Sequence, residues 1–135
     1  MIDYNNYIGI PWVCGKASFD GADCWGLVSM VYIDLFNIRL GHFKVDEIND
    51  PEKTMHKIEA VRDGSGEWEE TSTPNDGDVV MMISRKTFRP EHVGVYIGKG
   101  QILHSMTRET GQSEIHPVKL MTKLFKRLEY YRYVG

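Results

Sequence analysis

Residues 24–36, CWGLVSMVYIDLF, constrain the fold more than any other stretch of the chain. Leu27, Val31 and Leu35 recur at four-residue spacing, and Val28, Tyr32 and Phe36 form the adjoining ridge, which predicts a helix. Only Ser29 and Asp34 interrupt its apolar character, so the helix is predicted to be buried around most of its circumference. It therefore needs an apolar surface to pack on. Downstream of PNDGD the pattern changes to short β-rich runs separated by turns: DVVMMIS at 78–84, HVGVYIG at 92–98, QILHSM at 101–106 and SEIHPV at 113–118. The closing RLEYYRYVG is expected to add a last strand. A helix block followed by strands is an α+β signature, with an N-terminal helix carrying a cysteine on an antiparallel β-meander.

At 135 residues the chain is expected to form one domain, 1–135, that requires neither a disulfide nor a metal staple. A polar, turn-rich stretch at about 39–76 is the expected insertion, a lid or a docking surface. Within it PEKTMHKIEAV is compatible with a helix, and RDGSGEWEETSTPNDGD, which runs on to residue 78, reads as loop. The net charge of -3 leaves no electrostatic footprint for nucleic acid. The locally basic KLMTKLFKR, with Lys119, Lys123, Lys126 and Arg127, is expected to be a solvated helix face. No apolar run approaches the ~20 residues of a membrane span, and MIDYNNYIGI lacks a basic-then-apolar export pattern. Synthesis and folding in a cytoplasm, without membrane insertion, are the expectation. Cys14 and Cys24 are expected to be thiols, since two cysteines do not make a disulfide framework.

Cys24 opens the helix, and Asp23 before it is a natural N-cap. The free N–H groups and the positive end of the helix dipole favour a thiolate there, and such positions lower a thiol pKa from about 8.5 into the range of about 3.5 to 7.5. The competing role is an inert thiol packed like a valine, and the helix start alone leaves the two even.

The histidines bear on that choice. His42, His56 and His116 fall in loop, exposed-helix or turn-rich contexts, where a surface role is expected. His92 opens a strand in which Val93, Val95 and Ile97 share one face, placing His92, Gly94 and Tyr96 on the other. A three-residue loop, Gly98, Lys99 and Gly100, pairs Ile97 with Gln101 and sets His104 opposite Gly94. His92 and His104 then become diagonal neighbours, roughly 7 to 8 Å apart at Cα, with Gly94 leaving room for an imidazole. A two-residue turn puts them on opposite faces. With the longer loop, Cys24 is the candidate nucleophile, His92 the base and His104 the residue that orients it. The backbone N–H groups of Cys24 and its helix-start neighbours are the expected oxyanion donors. Cys24, His92, His104 and Cys14 are also zinc-ligand types, but no CxxC or HxxxH spacing supports a metal, and no cofactor is expected.

Three blocks, DCWGLVSMVY, PNDGDVVMM and HVGVYIGKGQILHS, together resemble the NlpC-type cell-wall cysteine peptidases over about Gly9 to Val118. The resemblance implies a circularly permuted papain-like fold in which Cys24 is the nucleophile, His92 the base and His104 the third residue. Trp25 stands where most members have serine, and Trp12 where many have a tyrosine that helps form the oxyanion site. With YIGIPWVCGKASFDGADCWGLV and RLEYYRYVG, the DCWGL block resembles the branch found in tail-assembly proteins of long-tailed phages. That implies hydrolysis of an amide in peptidoglycan stem peptides, typically after D-glutamate, for wall penetration or tail assembly. It also implies other tail proteins as partners, and a virion tail made in the bacterial host cytoplasm and acting at the host wall. The alternative is a structural tail protein that keeps the fold without turnover. Asp23, Trp25, Trp12 and Tyr96 are the candidate substrate contacts, with Trp25 expected to form a groove wall. For Tyr96 a core position with a satisfied hydroxyl is an equal alternative. Asp78 is expected to organise a turn.

Overall fold

Helix α1, Cys24–Phe36, packs on a six-stranded antiparallel sheet in the computed structural model, which describes residues 2–40, 61–62, 66–106 and 111–135. The helix begins where expected because Asp23 caps it, one carboxylate oxygen accepting from the Gly26 N–H at 2.7 Å. It stops at Asn37, whose left-handed φ of 57° breaks the helical repeat. Every residue from Trp25 to Tyr32 is buried.

A small hairpin, β1 (Ala17–Ser18) and β2 (Gly21–Ala22), leads into the helix. The main sheet comprises β3 (Trp68–Thr71), β4 (Val79–Ile83), β5 (Pro90–Tyr96), β6 (Gln101–Ser105), β7 (Ser113–Pro117) and β8 (Arg127–Tyr133), in the order β3-β8-β4-β5-β6-β7. Helix α2, Val118–Leu124, joins β7 to β8 and buries Met121, leaving its lysines outside. The central strands are covered on both sides. Val79, Met81, Ile83, Val93, Val95 and Leu103 pack with α1, while Val80, Met82 and Ile102 pack with Met121 and Phe125. That double coverage explains why VVMMI is apolar at every position instead of alternating. Each such side chain contributes roughly 1.5–3 kcal/mol by leaving water.

The loop expected over residues 62–78 is corrected in part. Trp68–Thr71 is an edge strand paired with β8, from Trp68↔Tyr133 to Thr71↔Tyr130. Trp68 anchors it, 8% exposed, against the rings of Tyr32 and Tyr133. Its partner lies some sixty residues downstream, so the surrounding turn residues dominate any local reading. Asp78 organises the turn before β4, accepting from the Asn75 N–H at 2.7 Å and pairing with Arg132 at 2.9 Å. His42, His56 and nearly all of PEKTMHKIEAV lie outside the described residues, as does most of the expected insertion. Among the described residues no helix is long and apolar enough to cross a membrane.

The β5–β6 hairpin has the three-residue loop. Ile97 N–H bonds to Gln101 O at 3.0 Å, and Gly94 pairs with His104. Gly98, Lys99 and Gly100 all hold positive φ, at 85°, 53° and 70°. On the other side of β5 the register jumps from Met82↔His92 to Ile83↔Pro90, leaving Glu91 as a bulge beside His92. Bulges of this kind re-aim the neighbouring side chain. The helix start is tied to the same region, because Ser105 Oγ, next to His104, donates to Ala22 O at 3.0 Å.

Candidate active site

Cys24 is the first residue of α1 and is half-buried, and the backbone N–H of Val93, the residue after His92, favours negative charge on its sulfur. Val93 lies just beyond the registered β5–β6 pairs, which begin at Gly94↔His104. The N–H groups of Trp25 and of Cys24 itself also favour negative charge on the sulfur. They do not prevail. Burial pushes the thiol up to about 12, and the Asp23 carboxylate acts in the same direction. Desolvation thus works against the thiolate that the helix start favours. Burial moves His92 the opposite way, down to about 4. The resting pair is a neutral thiol and a neutral imidazole. Cys14 and Cys24 are not joined in a disulfide.

His92 Nε2 stands 2.8 Å from His104 Nδ1, so the two histidines meet as the hairpin register requires. His104 is 1% exposed, and burial, followed by its two histidine neighbours, lowers it to about 2. The line continues. His104 Nε2 is 2.7 Å from His116 Nδ1, and His116 Nε2 is 3.3 Å from Glu114 Oε2. The surface role expected for His116 is corrected, since β7 pairs His116 with Ile102 and Glu114 with His104 on the face that carries the other imidazoles. The alternation in SEIHPV places Glu114 and His116 on a common face, which is the available sequence signal. The β6–β7 register needed to use it is not encoded locally. Among the described residues no three His, Cys, Asp or Glu side chains are placed to hold a metal ion.

A cavity of about 640 Å³ opens beside His92, walled by Arg85, Lys86, Glu91, Leu124 and Phe125. Cys24 is not part of its lining, so this cavity reaches the site from the histidine side.

The candidate substrate contacts fare differently. Asp23 is withdrawn as a direct contact: one oxygen caps Gly26, and the other accepts from the Gly15 N–H at 2.8 Å. Trp25 is withdrawn as a groove wall. One helical step from Cys24 turns its side chain into the core, where it is 3% exposed and its indole N–H has no partner among the described residues. Tyr96 is half-buried with a satisfied hydroxyl, which accepts from the Gly100 N–H at 3.0 Å, and its ring is edge-on to Tyr130. Trp12 remains half-buried, its backbone N–H bonded to Gly111 O at 2.7 Å. Gly26 was not singled out from the sequence. A Cβ there would collide with the Lys16 carbonyl, so only glycine lets the backbone just before β1 cross the helix start.

A cysteine at a helix start, a histidine next to the residue whose N–H favours charge on its sulfur, and a polar chain behind that histidine define a site of the nucleophilic cysteine–histidine class. The NlpC/P60 family model matches residues 9–128, and the chain belongs to that family. It is 33% identical over 129 residues to the murein DD-endopeptidase MepH of Escherichia coli, covering 95% of this chain and 40% of that one. It is 27% identical over 104 residues to a probable endopeptidase of Haemophilus influenzae, covering 77% of this chain and 55% of that one. The chain thus spans about half the length of the curated relatives it matches. Among solved structures, the NlpC/p60 domain of the peptidoglycan hydrolase SagA matches with a TM-score of 0.56 at 23% identity, over 86% of this chain and 84% of that one. An NlpC/P60 family protein from Bacillus cereus matches with a TM-score of 0.63 at 20% identity, over 96% of this chain and 37% of that one. At these identities the structural likeness speaks to the fold alone.

Proposed function

We propose that this chain is a cysteine peptidase that hydrolyses an amide bond in peptidoglycan stem peptides. The observation that carries the reading is the 2.8 Å bond between His92 on β5 and His104 on β6, with the N–H of Val93, next to His92, favouring negative charge on the Cys24 sulfur. The murein endopeptidase relative supports peptidoglycan as the substrate. His104 occupies Nε2 of His92, so exchange with the thiol falls to Nδ1. As the sulfur attacks the carbonyl carbon, its proton passes to Nδ1, and the helix-start N–H groups stabilise the oxyanion. Collapse breaks the C–N bond, and the His92 imidazolium gives its proton to the leaving amine. Water, deprotonated by His92, then releases the acyl group from Cys24. Because both partners rest neutral, proton transfer accompanies attack instead of preceding it.

The finer reading places the protein in a phage tail, made in the bacterial host and acting at its wall beside other tail proteins. It is supported by the DCWGL block with Trp25 after the cysteine, and by the N-terminal and closing segments. The second reading, a tail protein with little or no turnover, is favoured by the raised pKa of the Cys24 thiol.

Incubation of the purified chain and Cys24→Ala with sacculi separates these readings. Muropeptide products from the native chain alone are expected. Equal products from both remove the catalytic role of Cys24, and products from neither favour the structural reading. Immunodetection in purified virions tests the tail assignment, and a signal confined to the host cytoplasmic fraction counts against it.

A further inference from the structure

His104 poses a problem for any scheme in which it orients His92. Its buried Nδ1 meets His92 Nε2, but a neutral imidazole nitrogen either donates or accepts. An amide or carboxylate behind the base has a fixed polarity at its oxygen, whereas histidine does not. The direction of the bond must be set further along. His104 Nε2 is bonded to His116 Nδ1 at 2.7 Å, and His104 is too buried for water to take that place. At the end of the line, Glu114 Oε2 lies 3.3 Å from His116 Nε2, and an ionised carboxylate only accepts.

Counting protons from that end gives each step. The Glu114 carboxylate, at ion-pair distance, favours the His116 proton on Nε2, which leaves Nδ1 as acceptor. His104 therefore donates from Nε2, and its own Nδ1 accepts. His92 then carries its proton on Nε2, and its Nδ1 holds a lone pair. That is the tautomer able to take a proton from Cys24.

We propose that Glu114 and His116 are positioning residues whose polarity, relayed through His104, holds His92 in the Nε2–H tautomer. The β6–β7 register builds this relay by setting Glu114 opposite His104 and His116 opposite Ile102 on one face of the sheet. Burial keeps His104 neutral, so a single proton per ring defines the direction. The proposal rests on the reading of His92 as general base, but its test does not require turnover.

The test is the tautomeric state of each ring, read from long-range proton–nitrogen correlations of the full chain labelled with ¹⁵N-histidine at pH 7.5. In the native chain His92 and His104 are both expected as Nε2–H. In His116→Phe, His104 Nε2 has no acceptor, so its proton moves to Nδ1 and His92 is forced to Nδ1–H. In Glu114→Lys, at the more accessible end, an ammonium donor replaces the acceptor and shifts His92 in the same direction. His116→Gln, whose amide oxygen accepts, restores Nε2–H on His92. Where the chain turns over, the first two variants lower kcat with little change in KM. An Nδ1–H tautomer of His92 in the native chain overturns the proposal, as does a doubly protonated His116 at that pH. So does a His92 that stays Nε2–H in both His116→Phe and Glu114→Lys. Tautomers that shift as expected in a chain that cleaves no sacculi leave the relay standing and remove the peptidase reading instead.

Discussion

His104 sits directly across from Gly94 in the β5–β6 register, and a Cβ added to Gly94 would lie 2.9 Å from His104 Cβ and 2.8 Å from Leu103 O. The backbone oxygen cannot rotate away, so the two strands would have to part. Gly94→Ala is expected to destabilise the fold by about 1–3 kcal/mol and to break the His92–His104 bond. Urea unfolding gives the first quantity. Native stability in Gly94→Ala would show that the close approach is dispensable.

His92 and His104 differ in what their loss removes. His92→Ala deletes the group that takes the thiol proton, and turnover on stem peptides is expected to fall by ~10³ or more. His104→Ala deletes only the partner of Nε2, and its loss is expected to be smaller. Equal losses in steady-state rates would contradict this division of roles.

Burial holds Cys24 as a neutral thiol, raised to about 12. Its alkylation by iodoacetamide in the substrate-free chain is therefore expected to be slow at pH 7. The thiolate fraction grows about tenfold per pH unit below the pKa, so the rate should climb through pH 9 without levelling. Mass spectrometry resolves Cys24 from Cys14. A plateau between pH 5 and 7 would reveal a preformed thiolate–imidazolium pair.

Burial also depresses His92 to about 4, below the 6.5 of an unperturbed histidine. Between those values the unfolded chain binds the proton and the folded chain does not. The stability is present above pH 6.5 and is lost as pH falls toward 4. His104, depressed further, adds to the slope over the same window. Together they are expected to cost on the order of 2 kcal/mol or more between pH 6.5 and 4.5. Denaturant titrations at the two pH values measure it, and His92→Gln should flatten the dependence. An unchanged slope in that variant would assign the effect to other groups.

Trp25 stands where the resemblance to the NlpC-type peptidases leads one to expect serine, yet a serine there should not help this chain. The indole is 3% exposed and packs in the α1 core. Trp25→Ser is expected to lower stability by about 3–5 kcal/mol through the cavity it leaves. A thermal midpoint close to that of the native chain would show that the core closes over the gap.

Local chemistry determined a good part of this protein. Residues 24–36 form a helix because their apolar spacing is helical and Asp23 caps them. The β5–β6 register follows from one short loop, Gly98, Lys99 and Gly100; the sequence allowed the meeting of His92 with His104 as one of two registers, and the folded hairpin takes that one. Other features depend on contacts between distant segments. β3 exists because Trp68 and its neighbours find β8, and no nearby residue announces that pairing. His116 and Glu114 join the imidazole line only through the β6–β7 register, which the connection between those strands does not fix. The helix dipole at Cys24 is a local property and argues for a thiolate. The desolvation that opposes it comes from the assembled surroundings, and only the tertiary structure decides how much water the sulfur loses.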